Sequence, residues 1–288
     1  MSVSERISSS AATSFARHIP WSSLPIHGLL LAGAVVMIVP FMWMLTLSLK
    51  PAELTHTEPY LIPTTFQWSN YTEAWAAASF ERYYLNSAIM TLGITVGQVI
   101  FSSLAAFAFA RLEFRGKEVL FLLFLGTMMV PFHVILIPSY LIIRNLGWTD
   151  TFQALIIPRL ISAFGIFLLR QYYHNIPREL DEAAMMDGCS RLGTWWRIVL
   201  PLSGPALATL AIFAFLFAWN DFLWPLVVTN DPDMRTVQLG LAMFQGRYGT
   251  QWTLLMAGTV SATVPTILAF LVGQRWFIAS IAQTGLKG

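Results

Sequence analysis

Long apolar runs, separated by short polar stretches, make up most of this chain. Six of these runs have about 20 residues or more, enough for an α-helix to cross a hydrocarbon core of about 30 Å. The pattern predicts an all-α polytopic membrane protein in which residues 1–288 form a single membrane domain. The six predicted transmembrane helices lie at about 26–48, 84–110, 119–143, 153–171, 204–228 and 254–276.

The N-terminal run is predicted to stay in the protein as a membrane span. It covers about 23 residues at 27–49, whereas the apolar core of a signal peptide has roughly 7–15 residues. The segment after it, LSLKPAELTHTEPY, offers only a poor cleavage site. Later runs contain prolines, which predict kinked helices whose freed carbonyl groups are satisfied by neighbouring helices. These prolines are Pro131, Pro138, Pro225 and Pro265.

Composition supports a membrane protein and removes other classes. Hydrophobic residues make up 56% of the chain and charged residues only 11%, whereas soluble domains have about 25% charged residues. The basic residues are scattered and form no stripe, so no nucleic-acid partner is predicted. Cys189 is the only cysteine, which excludes a disulfide within the chain.

The charges of the predicted loops favour a cytoplasmic N-terminus. In that orientation eleven Lys and Arg residues lie on the cytoplasmic side and six on the outer side, which together account for the 17 in the chain. This excess agrees with the positive-inside rule, and both termini are then cytoplasmic. The outer loops at about 50–83 and 229–253 either contact an extracytoplasmic partner or anchor the protein at the membrane interface.

One charged block, ELDEAAMMDGCSRLGTWWRIVLPLSGPAL at 179–207, interrupts the apolar pattern between the fourth and fifth runs. Acidic residues at its start favour a helix N-terminus, and Gly188 favours a helix end or a sharp bend. We therefore predict two short helices in a cytoplasmic loop at 172–203.

Each of these short helices has a candidate contact face. On the first, small side chains dominate the face formed by Leu180, Ala183, Ala184 and Asp187. On the second, the apolar side contains Leu192, Trp195, Trp196 and Val199. The two helices either dock into a partner or lie at the membrane interface without one, and physical reasoning alone leaves both possibilities open.

The charged block also contains the pattern EAA-x3-G-x9-I-x-LP, with every position present at the required spacing. This pattern resembles the signature of permease subunits of ABC importers. Further segments resemble the carbohydrate branch of that family, the maltose-permease G-type subunits, so that the resemblance covers nearly the whole chain. They are LNS at 85–87, ARLEFRGK at 110–117, AWNDFLWPL at 218–226 and GLKG at 285–288.

The resemblance implies a MetI-like helical fold with a cytoplasmic coupling helix that inserts into a cleft of an ATPase subunit. The implied partners are a second homologous permease subunit, two ABC ATPase subunits, an extracytoplasmic solute-binding protein and the lipid bilayer of a bacterial inner membrane. The implied substrate is a sugar, an oligosaccharide or a sugar-alcohol derivative. The residues implied in ATPase coupling are Glu182, Ala183, Ala184, Asp187, Gly188, Ile198, Leu200 and Pro201.

Two residues depart from the family pattern, and the C-terminal tail adds one hypothesis. Cys189 stands where alanine is more common, and His133 stands where a neutral polar residue is more common. Tails of this family extend towards the ATPase dimer, which suggests a contact through Gln283, Thr284 and Lys287. The alternative is a frayed chain end.

The sequence contains no ATP site of the usual kind. In RGKE at 115–118, Arg111 and Glu118 occupy the positions at which a phosphate-binding loop needs Gly and Ser or Thr. No catalytic triad, HExxH sequence or Cys/His cluster occurs either. We therefore predict a transport subunit and not an enzyme, with no cofactor of its own and with ATP and Mg bound by partner ATPase subunits. A secondary transporter is the main alternative, but no repeat relates 1–145 to 146–288.

Polar and aromatic residues within the runs are candidates for a substrate pathway. Polar groups buried in a membrane usually face a cavity, aromatic faces stack on sugar rings, and amide or carboxylate groups bind hydroxyl groups. The alternatives are an interfacial aromatic belt for the tryptophans and a carbonyl freed by Pro131 as the partner of the histidine. The candidates are His133, Trp219, Asn220, Asp221 and Trp224, with Gln98 as a weaker one.

Overall fold

The computed structural model describes residues 24–55, 62–77, 79–246 and 249–285, and this part of the chain is mainly helical. Lys287 and the side chains of Gln283 and Thr284, which carry the hypothesis of a tail contact, lie outside the described residues. The main helices are α1 Leu24–Ser48, α2 Ser69–Ala77, α3 Phe80–Arg111, α4 Lys117–Thr127, α5 Phe132–Asn145, α6 Phe152–Arg159, α7 Ala163–His174, α8 Glu179–Met186, α9 Arg191–Leu202, α10 Gly204–Trp219, α11 Leu223–Val228, α12 Val237–Leu241 and α13 Trp252–Gly285.

The remaining elements are short. α6 closes with a 3-10 turn at Ile157–Arg159, and α9 contains a π-helical turn at Trp195–Val199. Separate 3-10 turns lie at Ala52–Leu54, Pro232–Met234 and Ala242–Phe244. Two strands of two residues, β1 Gln245–Gly246 and β2 Gly249–Thr250, pair in antiparallel orientation.

Three helices of the described chain, α1, α3 and α13, are each long and apolar enough to cross a membrane. Three pairs of helices reach that length only together, and each pair is bent: α4 with α5 by 97°, α6 with α7 by 41°, and α9 with α10 by 83°. The described chain therefore has up to six spans if each bent pair counts as one.

Two of the predicted runs are interrupted more strongly than a kink would require. The run at 119–143 breaks between α4 and α5, where Pro131 has an extended backbone with φ −59° and ψ 134°. Proline has no N–H to continue a helix, and it disfavours helical geometry in the preceding residue. The run at 204–228 ends as a helix at Trp219 and resumes at Leu223 as α11. The structure therefore divides each of these runs into separate helices.

α3 is the central helix of the bundle. It packs closely against α7, against α10 and against the start of α13. A Cβ added to Gly97 would lie 2.2 Å from a methyl carbon of Leu160. A Cβ added to Gly165 would lie 2.8 Å from the Ser102 hydroxyl. Small residues of this kind let membrane helices approach closely without losing van der Waals contact.

α1 lies at the edge of the bundle. Its apolar window is 0% buried within the chain, and its main neighbour is α13. A helix that is apolar on all sides and lacks protein around it is suited to a hydrocarbon environment.

The segment LNS attaches one loop to the first turns of α3. The Asn86 amide donates to the carbonyl oxygens of Asp233 at 2.7 Å and Arg235 at 2.9 Å. The Ser87 hydroxyl accepts a hydrogen bond from the backbone N–H of Val237 at 2.9 Å. Since both polar side chains are fully buried, these bonds satisfy the Asn86 NH₂ group and the Ser87 hydroxyl, which would otherwise be costly to bury.

Candidate functional site

The charged block folds into two short helices, α8 and α9, joined by a tight turn. The first turn of α8 contains three acidic residues, where the positive end of the helix dipole favours them. Gly188 has φ +81°, the left-handed region in which glycine has no Cβ penalty. The Gly188 N–H donates to the Met185 carbonyl at 3.0 Å and the Cys189 N–H to the Ala184 carbonyl at 2.9 Å, which is a Schellman motif.

α8 presents only one narrow face to its own chain. Asp181 and Ala184 are buried, with 9% and 5% of their surface exposed, because residues three apart lie on the same side of a helix. Glu182 and Ala183 are exposed, and Met186 is 88% exposed. The predicted contact face is therefore wrong in one respect: Ala184 lies against the chain itself and not on the free surface.

Arg111, the last residue of α3, fixes this buried face. Its Nε lies 3.3 Å from Oδ2 of Asp181, and its guanidinium also donates to the Ile176 carbonyl at 2.8 Å. Only 4% of the Arg111 side chain and 13% of the Asp181 side chain are exposed. Burial raises the pKa of Asp181, and the attraction to Arg111 opposes this increase. α8 is thus attached directly to the end of the central helix.

α9 divides its predicted apolar side between the core and the surface. Trp195 and Val199 are buried in a cluster with residues of α3 and α7, whereas Leu192 is 66% and Trp196 62% exposed. The π-helical turn at Trp195–Val199 changes the usual helical spacing. Ile198 and Leu200 are half-buried and Pro201 is exposed just before the bend into α10. An exposed apolar surface therefore lies beside α8.

A cavity of about 480 Å³ lies between α3, the broken helices α5 to α7, and α10. Its wall is mainly apolar and partly aromatic, with a few polar groups, which is the usual composition of a small-molecule site. Its volume also falls in the range of about 300–1,000 Å³ for such sites. The lining residues that determine its chemistry are Gln98, Phe132, Ser139, Arg159, Phe217 and Trp224.

Arg159 is the charged group of this wall, and it was not among the pathway candidates predicted from the sequence. Its guanidinium lies 3.0 Å from Oδ2 of Asp221, with 13% and 11% of the two side chains exposed. The guanidinium carbon lies 4.1 Å from the ring centre of Phe132, 5.3 Å from Phe217 and 5.8 Å from Trp224. Such contacts compensate part of the cost of burying a charge.

The five candidate pathway residues occupy different environments. Trp219 and Trp224 are buried, and their indole N–H groups donate to the carbonyls of Ala262 and Ala154, each at 2.9 Å. Asn220 is exposed and accepts a bond from Gln238 at 3.3 Å. His133 is exposed. Of the five, only Trp224 lines the cavity, and Asp221 is connected to the wall through its ion pair with Arg159.

These features define a polytopic α-helical membrane protein with a charged loop of two short helices at one end. The chain belongs to the family of binding-protein-dependent transport system inner membrane components, whose model matches residues 98–281. The match includes α8, α9 and the cavity. The predicted MetI-like family is thereby confirmed.

Two relatives match nearly the whole chain. The arabinooligosaccharides transport system permease protein AraQ of Halalkalibacterium halodurans is 36% identical over 259 residues, covering 88% of this chain and 93% of the relative. The sn-glycerol-3-phosphate transport system permease protein UgpE of Yersinia enterocolitica is 33% identical over 267 residues, covering 90% and 95%. Since these relatives are transport permeases, the predicted class of a transport subunit and not an enzyme is confirmed.

A solved structure has the same fold. It is a chain of a bacterial ABC transporter involved in the import of the acidic polysaccharide alginate, with a TM-score of 0.79 and 24% identity. The alignment covers 96% of this chain and 99% of the other. The predicted all-α permease fold is confirmed by this likeness and by the family match.

Proposed function

We propose that this chain is a permease subunit of an ATP-driven importer for a sugar, an oligosaccharide or a sugar-alcohol derivative. The observation that carries the proposal is the similarity over most of the chain to relatives named for arabinooligosaccharide and sn-glycerol-3-phosphate transport. These compounds share a high density of hydroxyl groups. The chain lies in a bacterial inner membrane with both termini in the cytoplasm, so that α8 and α9 also face the cytoplasm.

The transporter contains partners that supply what this chain lacks. A second homologous permease subunit completes the pathway, two ABC ATPase subunits bind ATP and Mg, and an extracytoplasmic solute-binding protein delivers the substrate. The absence of a phosphate-binding loop in the sequence supports a separate ATPase. The description of the family supports the binding protein.

The ATPase subunit docks on the exposed side of α8, in the manner of a helix in a groove. Glu182, Ala183 and Met186 contribute to this side, and Asp187 lies at its end. Gly188 turns the chain so that α9 can lead into α10. Ala184, Ile198, Leu200 and Pro201 hold the geometry of the loop. Movement of the ATPase then reaches the membrane through α7 and α10, which flank the loop, and through Arg111 at the end of α3.

The substrate pathway runs along the cavity between α5, α7 and α10. Arg159 contributes a guanidinium to its wall, Asp221 lies behind it as the ion-pair partner, and such groups bind hydroxyl groups. His133 and Asn220 are exposed and extend the pathway beyond the cavity. Trp219 and Trp224 support the wall, with Trp224 also contributing an edge to it.

Transport assays with defined solutes test this function. We expect the complete transporter in proteoliposomes to take up at least one of three probes, an arabino-oligosaccharide, maltose or sn-glycerol-3-phosphate, and to require ATP and the binding protein. The purified chain alone should hydrolyse no ATP. Uptake that persists without any ATPase subunit and follows an ion gradient would show a secondary transporter instead.

A further inference from the structure

Three interruptions of the helices meet at one residue. Arg159 ends α6, just before the break at 160–162. Phe132 begins α5 immediately after the break that follows α4. Asp221 lies in the break between α10 and α11. The side chains on these three breaks contact one another through the guanidinium of Arg159.

Arg159 also connects these breaks to the continuous helix α3. Its carbonyl oxygen accepts a hydrogen bond at 2.9 Å from the amide of Gln98, which is 8% exposed. Asp221 has a second bond, because its Oδ1 accepts the backbone N–H of Trp224 at 3.2 Å. The ion pair thus holds the start of α11 as well as the end of α6.

Breaks in membrane helices are the places at which a bundle can bend with the least loss of backbone hydrogen bonds. An ionised arginine inside an apolar region stays there only while its contacts compensate the cost of burial. We propose that Arg159 is a positioning residue that latches α5, α6 and α11 in one arrangement, and that its release accompanies opening of the cavity during transport.

The position of the latch explains how a substrate could release it. Arg159 and Phe132 both line the cavity, so hydroxyl groups of a bound solute reach the guanidinium and compete with Asp221 for it. This step rests on the proposed function, whereas the mechanical connection of the three breaks rests on the structure alone. The two parts therefore need separate measurements.

Hydrogen–deuterium exchange on the assembled transporter tests the connection. Phe132→Leu removes the ring from Arg159 but leaves the ion pair intact. We expect several-fold faster exchange at all three breaks, at the amides that donate to Thr127, Ile157 and Ala218: those of Val130, Leu160 and Asp221. Faster exchange confined to peptides around Val130 would overturn the latch.

A control of the same chemistry exists elsewhere in the chain. The guanidinium carbon of Arg170 lies 3.9 Å from the ring centre of Phe121, and Arg170 pairs with Glu118 at 2.9 Å. Phe121→Leu removes an equivalent contact away from the three breaks. It should leave exchange there at the wild-type rate, and an equal increase in both variants would mean a general loosening of the bundle and would refute the latch.

ATP hydrolysis tests the role of the latch in transport. We expect the wild-type transporter to hydrolyse ATP rapidly only when the binding protein is present. Without the binding protein, Phe132→Leu should raise the rate of ATP hydrolysis by about threefold or more, and Phe121→Leu should leave it unchanged. If wild-type hydrolysis ignores the binding protein, the proposed function fails while the exchange experiment still decides the latch. If Phe132→Leu speeds exchange at all three breaks but its ATP hydrolysis still depends on the binding protein, the latch exists and its role in transport is refuted.

Discussion

Replacing Asp221 with alanine should strongly reduce the amount of folded transporter. The substitution leaves the Arg159 guanidinium buried without its counterion. It also leaves the backbone N–H of Trp224 without its acceptor. Removing one partner of a buried ion pair costs about 3–5 kcal/mol, a large part of the total stability of many domains. We expect a clear decrease in melting temperature, measured by size-exclusion chromatography after heating, and loss of uptake as a consequence.

Two further variants distinguish this cause from loss of substrate contact. Asn220→Ala changes an exposed neighbour, so the transporter should assemble normally and only uptake should fall. The double variant Arg159→Met with Asp221→Ala leaves no unpaired charge and should recover much of the folded protein. If Asp221→Ala melts at the wild-type temperature and only uptake falls, the pair contributes little to stability and Asp221 acts on the substrate alone.

Sequence alone predicted the features of the fold that depend on local pattern. The length and hydrophobicity of the runs predicted α1, α3 and α13, since a helix of sufficient length needs no tertiary contact to satisfy its backbone in a membrane. The acidic first turn and Gly188 likewise predicted α8 and its end, because dipole and backbone preferences act within a few residues.

The breaks could not be predicted from the runs, because the contacts that compensate them are distant in sequence. Arg159 and Asp221 are 62 residues apart, and no local pattern in the sequence pairs them. Pro131 predicted a kink, but whether a proline kinks a membrane helix or divides it depends on its neighbours.

The orientation of α8 also could not be predicted, because it too depends on a contact that is distant in sequence. The sequence showed the face of small residues that contains Ala183 and Ala184. Which half of that face is buried is determined by the residue that pairs with Asp181. That partner, Arg111, lies 70 residues before Asp181, and no local pattern in the sequence pairs the two. Only the folded chain shows which alanine is free.

Adjacent alanines of α8 therefore give the sharpest test of ATPase docking. Ala183→Trp places an indole on the exposed side. There it meets solvent in the free chain, and in the proposed complex it would meet the wall of the ATPase cleft. We expect normal expression and melting, but at least a tenfold weaker capture of the ATPase subunit, equivalent to about 1.4 kcal/mol, with uptake falling in parallel. Glu182→Lys should act in the same direction, since it reverses a charge on that side.

Ala184→Trp is the matched control, because the same side chain is added one residue away. Ala184 is 5% exposed, and overpacking a closely fitted position costs about 1–3 kcal/mol, so this variant should lower the melting temperature before any partner is added. Pull-down and melting measured on both variants separate docking from folding. If Ala183→Trp retains wild-type capture and uptake, α8 does not enter a cleft through this side. The exposed Leu192 and Trp196 would then favour a loop that rests on the membrane surface.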